Sequence, residues 1–186
     1  NFDPPTQTER NQLIISGLTE EAIASSQIEG ANTSRKVAKE MLLSKRKART
    51  RDEQMIINNY QVMQRLQEWK DVELSVDMLL EIQKNITTNT LGTDEDAGRF
   101  RTDEDGIGVY NKITGEAVFI PPTAEMVKNE LKRLIQFANS DKGDEDFIQP
   151  VIKASDLHFW VAYLHTFVDV NGLTSRPVFF LYLCRK

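Results

Sequence analysis

Apolar residues recur at helical spacing over most of the chain, interrupted once by a stretch of strand-like alternation. "TEEAIASSQIEG" predicts a short helix over about 19–30, with Ile23, Gln27 and Ile28 near one face and Gly30 placed to end it. A second helix is expected over about 34–47, and a third over about 52–70 with Ile56, Tyr60, Met63 and Leu66 on one stripe. A fourth is expected over 75–87 through Val76, Leu79, Leu80 and Ile86, before "TTNTLGTDEDAG" breaks the period with turn formers. From Gly106 to Pro121 the period becomes two: "GIGVYNKITGEAVFIPP" alternates β-branched and polar residues on both sides of "NKITGE", which predicts a β-hairpin. Two strands alone are marginal, so the hairpin must lean on the helices expected over about 123–139, 152–165 and 172–185. The fold class is therefore mainly α, a helical bundle with one hairpin.

Composition adds limits to that picture. With 186 residues and 40% apolar content the chain can bury one sizeable core. Lys and Arg number 23 against 28 Asp and Glu, a formal charge of -5 that opposes strong attraction to nucleic acid or an anionic membrane. The run "KRKART", with Lys45, Arg46, Lys47, Arg49 and the nearby Arg51, reads as a solvated loop, and no nucleic-acid partner is expected for this fragment. Cys184 is the only cysteine, which excludes an internal disulfide, and with two histidines it makes no familiar structural zinc site; a reducing cytoplasm fits best. "PVFFLYLC" is far shorter than the roughly 20 apolar residues that span a bilayer, so no membrane association is expected. The first residues carry neither an initiator Met nor a secretion signal, and the chain stops inside an apolar helix, so the natural protein is expected to continue past Lys186.

The residues able to do chemistry gather in "HTFVDVNGLTSR", residues 165–176. His165 follows the apolar positions Leu157, Trp160, Val161 and Leu164 and falls at a helix C-terminus, where the dipole is negative. Asp169 can hold a divalent cation through oxygen, and Asn171 and Gly172 open a helix whose unpaired N–H groups favour a phosphate. Arg176 lies one turn on, where its fork can reach a phosphate oxygen. Taken singly, His165 reads as a capping histidine, "DVNG" as a turn and Arg176 as half of a surface ion pair.

In order, however, these residues resemble the signature of the Fic (Fic/Doc) family, H-x-F-x-[D/E]-G-N-G-R-x-x-R, with His165, Phe167, Asp169, Asn171, Gly172 and Arg176 in register. The preceding "KASDLHFWVAYLH" and the segment "GRFRTDEDGIGVYNKITGEAVFIPPTAEMV" resemble the family's helix and hairpin flap, so the likeness covers most of 19–186. It implies a Fic-type helical bundle with a β-hairpin flap, in which AMP is transferred from ATP to a hydroxyl of a protein substrate or of the chain itself. His165 would be the general base, Asp169 the Mg²⁺ ligand, and the N–H groups around Asn171 and Gly172 the anion hole. Arg176 would hold the terminal phosphate, Phe167 would anchor the loop, and Ile107, Gly108, Val109 and Tyr110 would form a flap edge that pairs with a target segment.

"SSQIEG" matches the inhibitory pattern [S/T]-x-x-x-E-[G/N] through Ser25 and Glu29, which implies that Glu29 pairs with Arg176 and restrains the enzyme. Residues 1–70 are read as an N-terminal helical region carrying this inhibitory helix, and 71–186 as the Fic-like core; a homo-oligomer is compatible with both. Two positions depart from the signature. Val170 stands at a glycine position, which implies backbone strain or another loop shape, and Leu173 at an arginine position, which removes a phosphate contact. The alternative to a weakened adenylyltransferase is a Fic-fold pseudoenzyme that binds a nucleotide or a partner without transfer.

Overall fold

The computed structural model describes residues 4–111, 113–140 and 147–186. Seven helices and a two-stranded hairpin make up the described fold, α1 (Gln7–Ile28), α2 (Arg35–Ser44), α3 (Arg51–Trp69), α4 (Val76–Thr87), β1 (Val109–Tyr110), β2 (Ala117–Phe119), α5 (Ala124–Asn139), α6 (Pro150–Leu164) and α7 (Asn171–Cys184). Side-chain caps set several of the starts: Ser34, Thr50, Ser75 and Thr123 each accept a hydrogen bond from an N–H in the first turn that follows. None of the described helices is long and apolar enough to cross a membrane.

The first helix departs most from expectation, beginning at Gln7 rather than near 19. Thr6 accepts from the Glu9 N–H while Glu9 accepts from the Thr6 N–H, a capping box that starts the helix well before its buried part. The added turns expose Leu13, Ile14 and Ile15, so no core periodicity marks them. The buried face is Thr19, Ala22, Ile23, Ser25 and Ser26; Ile28, expected beside Ile23, is exposed, because five residues at 3.6 per turn carry it to the other side.

One apolar core joins Ile23 of α1, Met41 of α2, Ile56 and Leu66 of α3, Leu79 and Ile86 of α4, Leu134 of α5, Leu157 of α6 and Leu181 of α7. On the α3 stripe Tyr60 is only partly buried, and the adjacent Val62 and Met63 take the core position. Asn58 donates to the Ile86 and Thr88 carbonyls and Asn59 to the Ala22 carbonyl, satisfying groups at the end of α4 and within α1.

The basic run is not a plain solvated loop. Arg46 reaches both oxygens of buried Glu53, at 2.8 and 2.6 Å, and the Arg49 N–H donates to the same carboxylate at 2.7 Å. These donors hold the Glu53 carboxyl down to about 2, from an ordinary 4.5. Because the folded-state value is the lower one, the contribution to stability is full above about 4.5 and is lost as pH falls towards 2. Glu53→Gln is expected to lower the urea midpoint at pH 7 and to flatten its decline across that acid window, as followed by circular dichroism.

Candidate active site

Helix α6 ends at His165, its C-cap, in a left-handed conformation at φ 48°. The half-buried imidazole lies 6.4 Å, centroid to centroid, from the Phe119 ring of β2, which places the hairpin beside it as expected. Burial, aided by the Arg101 charge and opposed by Asp169, pushes its pKa below the ordinary 6.5. With desolvation the largest cause, the shift favours the neutral imidazole.

The next residues turn the chain into α7. Phe167 is fully buried, its ring 5.7 Å from that of Phe100. The Asn171 side chain accepts from the Phe167 N–H at 2.8 Å and donates to the Phe167 carbonyl at 2.9 Å, so its amide is committed to closing the turn. The ladder of α7 begins with the Thr174 N–H on the Val170 carbonyl at 3.0 Å, which leaves the N–H groups of Asn171, Gly172 and Leu173 at the helix's positive end. Asp169 is half-exposed; one oxygen takes the Val170 N–H at 2.8 Å and the other lies 3.8 Å from Arg51 Nη2. A single accessible carboxylate suits Mg²⁺, which commonly uses one or two carboxylates together with substrate phosphates.

Glu29 enters this space from the end of α1. A Cβ built on Gly172 would lie 1.8 Å from Glu29 Oε1, so the carboxylate rests against the first turn of α7 where any side chain would exclude it. The same oxygen is 3.6 Å from Arg176 Nη1, an ion pair without a hydrogen bond, and that nitrogen is buried with no hydrogen-bond partner among the described residues. Burial raises the Glu29 pKa above 4.5, with Arg176 opposing and Asp169 adding to the rise. Ser25 does not reach this group: its hydroxyl donates to Glu21, and its carbonyl accepts the Glu29 N–H at 3.2 Å.

Beside the site, Val109 pairs with Phe119 and Tyr110 with Ala117 in antiparallel register. The strands are shorter than the alternation predicts. Gly106, at φ 60°, caps a turn of 3-10 helix over Asp103–Asp105, and Ile107 and Gly108 precede the ladder rather than joining it. Of the expected turn, Lys112 lies outside the described residues; Gly115, at φ 73°, closes it by donating to the Asn111 carbonyl at 2.8 Å.

Residues 73–183 match the model of the Fic/DOC family. The chain belongs to that family. It is 28% identical over 114 residues to the protein adenylyltransferase fic-1 of Caenorhabditis elegans, a match that covers 61% of this chain but only 20% of that relative's length. A Fic-domain-containing signalling protein from Bacteroides thetaiotaomicron has the same fold, with a TM-score of 0.81 at 18% identity over 98% of this chain and 68% of the other. A fragment of Fic-1 from C. elegans gives 0.76 at 21% identity, over 98% of this chain and 52% of the other.

Within the Fic/DOC frame both departures acquire a physical form. Val170 has a left-handed backbone, φ 56° and ψ 35°, a strained conformation for a β-branched residue. A β-branched residue there costs about 1–3 kcal/mol, and the burial of its side chain in the core, 4% exposed, offsets part of this. Leu173 is fully buried, so the position has lost both the charge and the reach of an arginine.

Arg101 is a residue that motif reading missed. It is 5% exposed, donates to the His165 carbonyl at 2.6 Å, to the Leu164 carbonyl at 3.4 Å and to the Pro122 carbonyl, and its N–H donates to the Thr166 carbonyl at 3.1 Å. It thereby ties the end of α6 to the segment that follows the hairpin. The only sequence signal was a second arginine in "GRFR". Arg101→Gln is expected to cost about 2–3 kcal/mol in urea unfolding, since carbonyls bonded to a charged donor are left buried.

Proposed function

We propose that this chain carries the catalytic part of a protein adenylyltransferase that moves AMP from ATP to a protein hydroxyl, on another protein or on itself. The observation that carries the reading is the convergence of a half-buried His165, its neutral form favoured, with Asp169, Arg176 and the unpaired N–H groups that open α7. His165 would accept the proton of the target hydroxyl as its oxygen bonds to the α-phosphorus; the bond from that phosphorus to the bridging oxygen breaks, and pyrophosphate leaves. The N–H groups of Asn171, Gly172 and Leu173 would face the charge that develops on the α-phosphate. Asp169 would hold Mg²⁺, which neutralises phosphate charge, and Arg176 would hold the terminal phosphate. Val109 and Tyr110, led in by Ile107 and Gly108, offer an exposed strand edge to which a target segment can add. Glu29 would restrain the reaction by occupying the first turn of α7.

Binding of a nucleotide without transfer is the second reading, favoured by the buried Leu173 and the strained Val170. Intact-mass spectra of the Glu29→Gly protein after incubation with Mg²⁺ and each nucleoside triphosphate test for transfer to the chain itself. A mass gain of one AMP with ATP is expected. No gain with any nucleotide, in a protein that still binds ATP, would remove transfer to the chain itself.

A further inference from the structure

The buried Leu173 leaves Arg176 as the only cation the signature itself supplies, too few for the charge of a nucleoside di- or triphosphate. The fold brings another to the same place from outside the signature. Arg51 opens α3; its Nε donates to the Thr90 carbonyl, and its Nη2 lies 3.8 Å from Asp169 Oδ2. That separation is an ion pair but too long for a hydrogen bond, and 58% of the Arg51 side chain is exposed. Its neighbour Arg46 is committed to Glu53, whereas Arg51 is fixed on one side only and presents the rest of its fork towards the Asp169 edge. The anchor is firm: Thr90 is buried, and Asn58 pins the preceding Thr88 carbonyl at 2.7 Å.

We infer that Arg51 binds the phosphate chain of the nucleotide beyond the α-phosphate, supplying from α3 the contact that Leu173 lacks. A phosphate oxygen that shares a cation with Asp169 must lie next to that carboxylate, within reach of a guanidinium already held there. The planar fork suits such an oxygen, which a lysine meets only as a point charge. The inference rests on the nucleotide reading of the site. It also differs in sign from the simplest alternative, in which Arg51 is only a counterion of Asp169: removing a mere counterion would free Asp169 and leave Mg-nucleotide binding unchanged or tighter.

Calorimetric titration of the Glu29→Gly chain, with and without Arg51→Gln or Arg51→Lys, tests this with Mg-ADP and with AMP, alongside thermal melts. Arg51→Gln is expected to weaken ADP binding about tenfold or more and to leave AMP binding nearly unchanged, with Arg51→Lys recovering part of the loss. Equal or tighter ADP binding in Arg51→Gln would overturn the inference and leave the nucleotide reading intact. Equal losses for ADP and AMP with a lowered melting point would overturn it in favour of a structural role through Thr90. Failure of the Glu29→Gly parent to bind either nucleotide would overturn both the inference and the reading beneath it.

Discussion

Replacing His165 by alanine is expected to lower AMP transfer by the Glu29→Gly protein by about two to four orders of magnitude while sparing nucleotide binding. The expectation rests on where the imidazole sits. The residue caps α6 at the mouth of the site, its ring makes no hydrogen bond among the described residues, and its carbonyl rather than its ring is held by Arg101. The ring is thus available to take a proton, and its removal disturbs none of the bonds that close the loop, which run through Phe167 and Asn171. The pH profile follows from the same surroundings. A base must be neutral to act, and burial together with Arg101 depresses this pKa below 6.5, so the rate should rise with pH through the mildly acid range and level off by neutrality. The folding contribution has the same sign: the unfolded chain binds this proton more readily, so stability falls as pH drops below 6.5. Transfer by His165→Ala at the parental rate would remove His165 as the base.

How much of this was legible in the sequence depends on chain distance. His165, Phe167, Asp169, Asn171, Gly172 and Arg176 fall in one short window, so their order alone singled out the candidate site, and helical periodicity located most of the helices that frame it. What escaped lies far away in the chain. Arg101 looked like any loop arginine until its burial against the His165 carbonyl appeared, and Arg51 was absorbed into a basic run that the fold divides between Glu53 and Asp169. Early α1 escaped for another reason. Its Leu13, Ile14 and Ile15 face solvent, so the only signal was the reciprocal Thr6 and Glu9 cap. Pattern also named residue types without giving depth: it set Glu29 opposite Arg176, but the carboxylate also rests against Gly172, and no spacing rule states that.

That approach makes Glu29→Gly the substitution with the largest expected gain. A carboxylate against the first turn of α7 occupies the positive helix end where a phosphate would bind, and it holds Arg176 at 3.6 Å besides. Two negative groups, Glu29 and Asp169, therefore crowd the entrance; burial first, and the Asp169 charge after it, raise the Glu29 pKa. Removing Glu29 vacates the helix end and releases the guanidinium, so Mg-ATP affinity is expected to rise at least about tenfold, the worth of one charge-assisted contact. The backbone should tolerate the change, because Glu29 has φ -82° and ψ 8° at a C-cap, close to what glycine adopts freely. Arg176→Ala in the same protein should erase the gain, since the released partner is then missing. Protonation should mimic the substitution in part: as pH falls through the raised Glu29 value, the affinity gap between the native chain and Glu29→Gly should narrow. A Glu29 that serves only to hold α1 in place would shift the melting temperature on removal and leave nucleotide affinity where it began at every pH, and restraint by this carboxylate would then have to be given up.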